Sequence, residues 1–242
     1  MALVDTHFHL DLHKNTIEIA DNIEKNGVYT IAITNTPSVF EYTEKLCAKK
    51  KFIRSALGLH PELVSTRKHE LPILKQLISK TKYIGEVGLD FSNSNEKDRK
   101  AQSDVFKQII DWCSLERNKI LSIHSRKAEE EVINIIEDSF KGKVILHFYS
   151  GPLNQLKRAI DAGYYFSINH LMTQTKNGKR IISIIPLDKL LTESDAPFVT
   201  FGNNSYDQIK ETIHNLAQII NCSSVKLEEQ IFTNFKRILA GF

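Results

Sequence analysis

The sequence carries a His-x-His pair near its beginning, formed by His7 and His9 directly after a short apolar run. Residues i and i+2 of a strand point to the same side, so the two imidazoles would face together. Two imidazoles on one face of a buried strand are unfavourable without partners, and a divalent metal ion would satisfy both. Taken alone the pair is weak evidence, because most His-x-His pairs are coincidental or lie at the surface.

Metal-competent or polar residues also occur at or near the ends of later apolar runs. They lie in the segments 58–61, 85–90, 124–126, 147–151, 169–170 and 192–197. Six of the nine histidines take part, namely His7, His9, His60, His124, His147 and His170. An explanation by packing alone requires six core histidines that are each satisfied independently in the same register, so the pattern favours a shared site.

The elements that must position these residues can be traced as eight short apolar runs. The runs span residues 2–7, 29–35, 53–59, 83–89, 119–123, 143–147, 164–169 and 190–193. Their β-branched and aromatic bias, mostly without alternation, is typical of strands buried on both faces of a parallel sheet. Amphipathic segments predict helices over residues 15–25, 40–50, 70–80, 96–116, 129–140, 153–162, 205–221 and 225–240.

Strands that alternate with helices predict an α/β fold, and eight of them favour a (β/α)₈ TIM barrel, whose active site lies at the C-terminal strand ends. Gly27, Gly142 and Gly163 each follow a predicted helix where a C-cap is expected. A doubly wound open sheet is the alternative. The sequence has no Gly-x-Gly-x-x-Gly or P-loop pattern, which weakens that alternative.

The composition suits one barrel: the chain has 242 residues, 41% of them hydrophobic, and a formal net charge of +3. This mildly basic charge permits a nucleic-acid substrate without arguing for one. Cys47, Cys113 and Cys222 have no metal-ligand or redox-motif spacing. The N-terminal residues do not form a signal-peptide pattern and no run reaches 18 apolar residues, so we expect a cytoplasmic enzyme without membrane association.

The order His-x-His, Glu, His, His and Asp resembles the TatD family of metal-dependent deoxyribonucleases, which belongs to the amidohydrolase-like barrels. The resemblance covers nearly the whole chain and implies one TatD-like hydrolase domain over residues 1–242. Its most specific segments are Gly-Glu-Val-Gly-Leu-Asp at 85–90, Ile-His-Ser-Arg at 123–126 and Glu-Ser-Asp-Ala-Pro at 193–197.

The resemblance implies two divalent metal ions. The implied ligands of the first ion are His7, His9, Glu86 and Asp195, and those of the second are Glu86, His124 and His147, with Glu86 bridging. Imidazole and carboxylate ligands suit Zn²⁺ or Mn²⁺, and Mg²⁺ where phosphate and water complete the shell, so the metal is left open. A water activated by the metals would attack a phosphodiester in line, with Glu86 and Asp195 as catalytic carboxylates and Asp195 receiving the proton.

Candidate substrate-binding residues surround this set. His60 resembles a family histidine that lies near the substrate. The equal alternative is that His60 is a structural histidine, hydrogen-bonded before the turn-forming Pro61. Arg126 would reach a phosphate or pair with a carboxylate, and His170 stands where relatives usually have a small residue. Asp11 and Asp90 are expected to orient ligands rather than bind metal.

A basic segment follows the seventh predicted strand. Lys176, Lys179 and Arg180 surround Gly178, a hinge candidate. We expect this segment at the barrel mouth, where Lys176 and Lys179 would contact nucleic acid; a solvated basic loop is the alternative.

Two segments depart from the family pattern and indicate a diverged substrate rim. The sixth strand continues as His-Phe-Tyr-Ser-Gly at 147–151, where many relatives have His-Cys-Phe-Ser/Thr-Gly. Residues 200–206 have no counterpart of the Arg-Asn-Glu-Pro segment that relatives commonly carry. Such divergence suggests a specialised branch, of which the TatD-like nucleases of Qat-type anti-phage defence are one example, and would bring operon-encoded protein partners.

The leading hypothesis is therefore a nuclease that cuts DNA, on single strands or from an end. A hydrolase of small amides, lactones or phosphoesters would use the same ligands, and fold cannot separate the two. A non-catalytic barrel is a third hypothesis, which the complete ligand set disfavours. Oligomeric state is left open.

Overall fold

The computed structural model describes residues 2–116, 118–199 and 204–240, and these contain eight strands and eleven α-helices. The strands are β1 (Val4–Phe8), β2 (Tyr29–Ala32), β3 (Ile53–Ser55), β4 (Tyr83–Gly88), β5 (Ile120–His124), β6 (Lys143–His147), β7 (Tyr165–Ile168) and β8 (Leu190–Thr192). The helices are α1 (Thr16–Asn26), α2 (Pro37–Cys47), α3 (Val64–Arg67), α4 (Leu71–Leu77), α5 (Glu96–Ser114), α6 (Glu129–Ser139), α7 (Leu153–Asp161), α8 (His170–Gln174), α9 (Lys176–Ile182), α10 (Ser205–Ile219) and α11 (Ser224–Leu239).

The strands form two parallel sheets, in the orders β1-β2-β3 and β4-β5-β6-β7-β8. One α-helix lies between most pairs of consecutive strands. Two α-helices lie between β3 and β4, namely α3 and α4, and two lie between β7 and β8, namely α8 and α9. This is the alternating α/β architecture that the sequence predicts, and each predicted strand coincides with an observed one. Because all strands are parallel, their carboxyl ends lie on one side of the molecule.

One seam between the sheets lies beyond the end of β3. Leu57 forms a parallel bridge with Ile84. The Leu57 amide donates to the Tyr83 carbonyl at 3.0 Å, and the Gly85 amide donates to the Leu57 carbonyl at 2.8 Å. This short bridge brings the end of β3 beside β4.

The other seam lies between β1 and β8, where threonine side chains take the place of a strand ladder. The Thr6 hydroxyl donates to the Thr192 carbonyl at 3.1 Å, and the Thr192 hydroxyl donates to the Val4 carbonyl at 2.5 Å. In the described parts of the chain, continuous strand pairing crosses neither seam. Specific hydrogen bonds therefore join the first and last strands of the barrel-like wall.

The buried carboxylate of Asp5 joins the same region through hydrogen bonds. Asp5 is fully buried and accepts hydrogen bonds from the Ser194 amide at 2.9 Å, the Ser194 hydroxyl at 2.6 Å and the Ser205 hydroxyl at 2.7 Å. Charge-assisted hydrogen bonds of this kind are stronger than neutral ones. They join β1 to the segment that follows β8 and to the start of α10.

Helix α2 shows how a side chain from elsewhere in the chain completes an element. Pro37 occupies its first turn, where a missing amide hydrogen costs nothing. The amide of Ser38 donates to the Glu70 carboxylate at 2.9 Å, and Arg67 donates to the other oxygen of Glu70 at 3.1 Å. Glu70, which is buried, thus caps α2 from the neighbouring segment.

Some glycine predictions are wrong. Gly27 ends α1 in the left-handed region with φ of 65°, as a C-cap requires, and Gly163 follows α7 with φ of 83°. Gly142 is not a cap: α6 ends at an extended Phe140, and a Cβ on Gly142 would lie 2.0 Å from the Phe140 ring. Gly178 is not a hinge, since it is buried inside α9 and a Cβ there would lie 2.0 Å from the Met172 carbonyl oxygen.

Candidate metal centre

Six polar side chains from five strand ends meet on the carboxyl side of the sheets. Because successive strands end on this side, residues far apart in sequence are brought together there. The six are His7 and His9 at the end of β1, Glu86 in β4, His124 at the end of β5, His147 at the end of β6, and Asp195 just after β8.

Glu86 lies between the other five, with its two carboxylate oxygens facing different imidazoles. Its Oε2 is 3.5 Å from His7 Nε2 and 3.4 Å from His9 Nε2. Its Oε1 is 2.7 Å from His124 Nδ1 and 2.8 Å from His147 Nε2. One carboxylate therefore serves two separate groups of nitrogen atoms.

Asp195 belongs to the group around Glu86 Oε2. Its Oδ1 lies 3.6 Å from His9 Nε2 and 3.9 Å from His7 Nε2, and its amide donates to the His7 carbonyl at 2.9 Å. The φ of Asp195 is 52°, in the left-handed region that non-glycine residues rarely adopt. Such conformations concentrate at functional sites, where the surrounding structure holds them.

His60 approaches the group around Glu86 Oε1 from the loop after β3. Its Nε2 is 3.5 Å from Glu86 Oε1, and its Nδ1 accepts a hydrogen bond from the Glu62 amide at 3.2 Å. In the neutral imidazole the proton then lies on Nε2. His60 is thus placed to donate a hydrogen bond into the site rather than to offer a lone pair there.

Side chains outside the ligand set orient two of the histidines, His124 and His7. His124 Nε2 is 2.7 Å from Asp90 Oδ2, which leaves its Nδ1 facing Glu86. His7 Nδ1 is 2.8 Å from the Ser122 hydroxyl in β5. The sequence predicts such an orienting contact for Asp90 but not for Ser122.

Glu193 is a fully buried carboxylate at the start of the Glu-Ser-Asp-Ala-Pro segment. The sequence alone indicates no role for it. It accepts hydrogen bonds from Ser167 and from Asn169, the latter at 3.0 Å, and its Oε2 lies 3.7 Å from His147 Nδ1. His7, His147 and Glu193 are close enough to form a third donor group. His147 Nε2 faces Glu86 at 2.8 Å, while its Nδ1 lies at an ion-pair distance from Glu193 that is too long for a hydrogen bond.

The charge state of the cluster follows from burial and neighbouring charges. Burial lowers the pKa of His7 to about 3, and the charge of His147 adds to this shift, so His7 is neutral. Burial opposes ionisation of Glu86, but its electrostatic interactions with His60 and His147 and its hydrogen bond with His124 hold its pKa well below the usual range. Glu86 and His7 are therefore in the forms that bind metal, whereas the charge of Glu86 raises the pKa of His147 well above its usual value, so His147 must release a proton to become a ligand.

The arrangement fits divalent metal ions. His7 Nε2 and His9 Nε2 lie only 3.1 Å apart, and both point at the oxygens of Glu86 and Asp195. Converging acceptor atoms in a buried site repel one another unless a cation lies among them. Imidazole nitrogen and carboxylate oxygen are ligand types that Zn²⁺ and Mn²⁺ share.

A cavity of about 670 Å³ opens above this cluster. His9, His60, Glu86, His124, His147 and Asp195 line it, together with Arg126, which is exposed. The lysines of α9 and His170 are not among its lining residues. Lys176 and Lys179 are exposed on α9, whose Asn177 donates to the carbonyl of Ser150 in the cavity wall at 3.0 Å. The basic segment thus lies outside the cavity, next to its wall.

Residues 4–240 match the family described as TatD related DNase. The chain belongs to this family. The similarity in sequence extends to an uncharacterised metal-dependent hydrolase of Methanocaldococcus jannaschii, which is 28% identical with 98% of each chain covered. The human deoxyribonuclease TATDN3 is 27% identical over 81% of this chain and 78% of its own length.

Solved structures agree on the fold of this TatD-family chain. YjjV, a TatD homologue from Escherichia coli, superposes with a TM-score of 0.84 over 98% of this chain and 97% of the other, at 20% identity. The expected barrel class and the expected metal-dependent hydrolase are thereby confirmed. Among the residues that the structure describes, none of the helices is long and apolar enough to cross a membrane.

Proposed function

We propose that this TatD-family enzyme hydrolyses phosphodiester bonds of DNA with two divalent metal ions. The observation that carries the proposal is the position of Glu86, whose two oxygens face two groups of nitrogen ligands. The ligands we assign to one ion are His7, His9, Glu86 and Asp195, and those of the other are Glu86, His124 and His147. Both groups hold donors acceptable to Mn²⁺, Zn²⁺ or, with phosphate and water, Mg²⁺.

The bound metals would supply Lewis acidity and a water of lowered pKa. The chain's own residues supply the remaining functions. Asp195 Oδ1 faces the ligand group from the cavity side and accepts the proton of the attacking water. The Nε2–H of His60 and the guanidinium of Arg126 line the same cavity, where they bind phosphoryl oxygens.

The outer substrate contacts belong to the same proposal. Lys176 and Lys179 on α9 contact the DNA backbone beyond the cavity wall, and His170, at the start of the preceding helix α8, is a further candidate contact. A cavity of about 670 Å³ holds one or two nucleotides more readily than a duplex, which favours single strands or ends. A role in anti-phage defence, with operon-encoded partners, stays a prediction from the diverged segments; residues 200–203 of these lie outside the described residues.

A small-molecule hydrolase is the second candidate, and one observation favours it. The cavity volume lies within the range of sites that enclose a single small ligand. Degradation of labelled single-stranded DNA should be compared with turnover of a panel of lactones, amides and simple phosphoesters, each with Mg²⁺, Mn²⁺ or Zn²⁺.

The decisive experiment combines this comparison with variants of the two carboxylates. Glu86→Gln should lower the content of both ions and reduce DNA cleavage by more than about 100-fold, because it removes charge from both groups. Asp195→Asn should reduce cleavage comparably while leaving the one ion assigned to Glu86, His124 and His147 in place. Glu62→Gln, a cavity carboxylate outside the cluster, is the matched control. Hydrolysis of small esters with intact DNA under every metal would refute the nuclease proposal.

A further inference from the structure

Five hydrophobic side chains line the cavity, and we call them the apolar collar. Its members are Leu12, Leu63, Phe148, Leu171 and Phe198. Leu12, Leu171 and Phe198 are 44%, 45% and 66% exposed, which makes them three of the large hydrophobic residues that the described surface leaves open to water. Scattered exposed hydrophobics need no explanation, but a group that lines the same cavity as a charged site points to a ligand with an apolar part.

Phe198 is a collar residue whose ring contacts a candidate metal ligand. Its ring centroid lies 5.1 Å from that of His9, and the two rings are perpendicular. It follows Asp195 by three residues, in a turn closed by the Val199 amide donating to the Asp195 carbonyl at 3.0 Å. Anything bound at Asp195 therefore lies beside the exposed ring of Phe198.

Phe148, the second aromatic residue of the collar, has a distinctive backbone conformation. Phe148 directly follows His147 and has φ of 42°, which is costly for an aromatic residue. This conformation directs the chain away from the strand at the point where Phe148 lines the cavity. Both aromatic collar residues are thus next in sequence, or nearly so, to a candidate ligand.

The charged residues of the cavity lining indicate how a ligand is held there. Arg126 is the one lysine or arginine among the described residues that line the cavity. A site that held DNA through its backbone alone would need several such cations. Near the cut, binding must therefore draw on the apolar collar, and the apolar part of a nucleotide is the face of its base.

We infer that Phe198 stacks on an unpaired nucleobase adjacent to the phosphodiester bond that is cut, while Leu12 and Leu171 enclose the same base. This inference rests on the proposed nuclease function and specifies its substrate. A base within a duplex has both faces covered, so the collar selects single-stranded or frayed ends. Every base has a π-face, so the contact does not depend on sequence.

The test uses the full-length enzyme with Mn²⁺ and a short single-stranded oligodeoxythymidylate. A second oligonucleotide of equal length carries abasic residues on both sides of the cut position. Phe198→Ala should raise KM for the first roughly 5- to 100-fold with little change in kcat, and leave KM for the abasic strand unchanged. Phe198→Trp should restore a KM near the original value. Tyr42→Ala, which removes an exposed aromatic residue on α2, is the matched control.

The experiment distinguishes failure of the stacking inference from failure of the nuclease proposal. DNA cleavage with an unchanged KM in Phe198→Ala would overturn the inference and leave the nuclease function standing. An equal loss on the abasic strand, or a lower bound-metal content, would show that Phe198 positions His9 or Asp195 instead of stacking. A blunt duplex cut as fast as the single strand would also contradict the inference. Failure of the unmodified enzyme to cut any DNA would remove both proposals.

Discussion

Asp90 illustrates, at the scale of single residues, how a side chain outside the assigned ligand set can control the geometry of a ligand. Its Oδ2 lies 2.7 Å from His124 Nε2, while its Oδ1 accepts from the Ser92 amide at 2.8 Å. The carboxylate therefore fixes the ring with Nδ1 toward Glu86. Partners of this kind hold a ligand in the orientation and protonation state that a metal requires.

We predict that Asp90→Asn weakens metal binding about 10- to 100-fold, because a neutral amide is a weaker hydrogen-bond acceptor for His124 Nε2 and fixes the imidazole less firmly than the carboxylate does. Competitive titration with a metal-sensitive dye measures the affinity. Asp104→Asn, the same change at an exposed position, should leave it unaltered. Equal affinities of the Asp90 variant and the unmodified protein would contradict this role.

The six candidate ligands could be proposed from sequence because their types and order are distinctive, whereas their supporting residues could not. Ser122 and Ser167 are ordinary polar residues until the facing strands are known. Ser122 contacts His7, which lies 115 residues earlier. The available signal was a single polar residue inside an otherwise apolar strand, in Ile-Leu-Ser-Ile at 120–123 and Tyr-Phe-Ser-Ile at 165–168. Phe198 was missed for another reason: its exposure depends on the turn after Asp195.

At the scale of elements, the cap of α2 links two segments through Glu70. The hydrogen bonds from Ser38 and Arg67 outweigh the effect of burial and lower the pKa of Glu70 below its ordinary value of 4.5. A carboxyl group with a lowered folded pKa stabilises the protein above its unfolded pKa. That contribution is lost as the pH falls through the folded pKa.

We expect Glu70→Gln to destabilise the protein by about 0.5–2 kcal/mol at pH 7, since it weakens a helix cap and an ion pair. The difference from the unmodified protein should shrink below pH 4. Urea unfolding at both pH values tests this, with the exposed Glu41→Gln on α2 as control. A difference that is independent of pH would argue against the ionised carboxylate as the cap.

The strands were predictable because burial on both faces leaves uninterrupted apolar runs. The short helices α3, α8 and α9 were not, since fewer than eight residues do not establish a helical period. Helices α8 and α9 begin instead where Asn169 accepts from the Met172 amide and Thr175 accepts from the Gly178 amide. Their helical structure depends on these caps and on the close contact at Gly178.

At the scale of the whole molecule, the seam between β1 and β8 depends on Thr6 and Thr192. Thr192→Val conserves the shape of the side chain but leaves the Val4 carbonyl without its donor. We predict a loss of about 1–3 kcal/mol in the free energy of unfolding, the cost of an unsatisfied buried polar group.

Chemical denaturation should detect this loss, and Thr233→Val is the matched control on the surface of α11. The control should change stability by less than about 0.5 kcal/mol. A Thr192 variant as stable as the control would mean that packing alone closes the seam.

The bonds from Asp5 to Ser194 and Ser205 have a consequence for the order of events on the ribosome. Ser194 is made 189 residues after Asp5, which at about 5–20 residues per second is a delay of roughly 10–40 s. During that interval β1 can pair with β2 but lacks β8 on its other side, and His7 and His9 lack Asp195. A growing chain therefore cannot assemble the complete centre, and the cell is not exposed to this hydrolase's chemistry until translation of β8 and the following turn is finished.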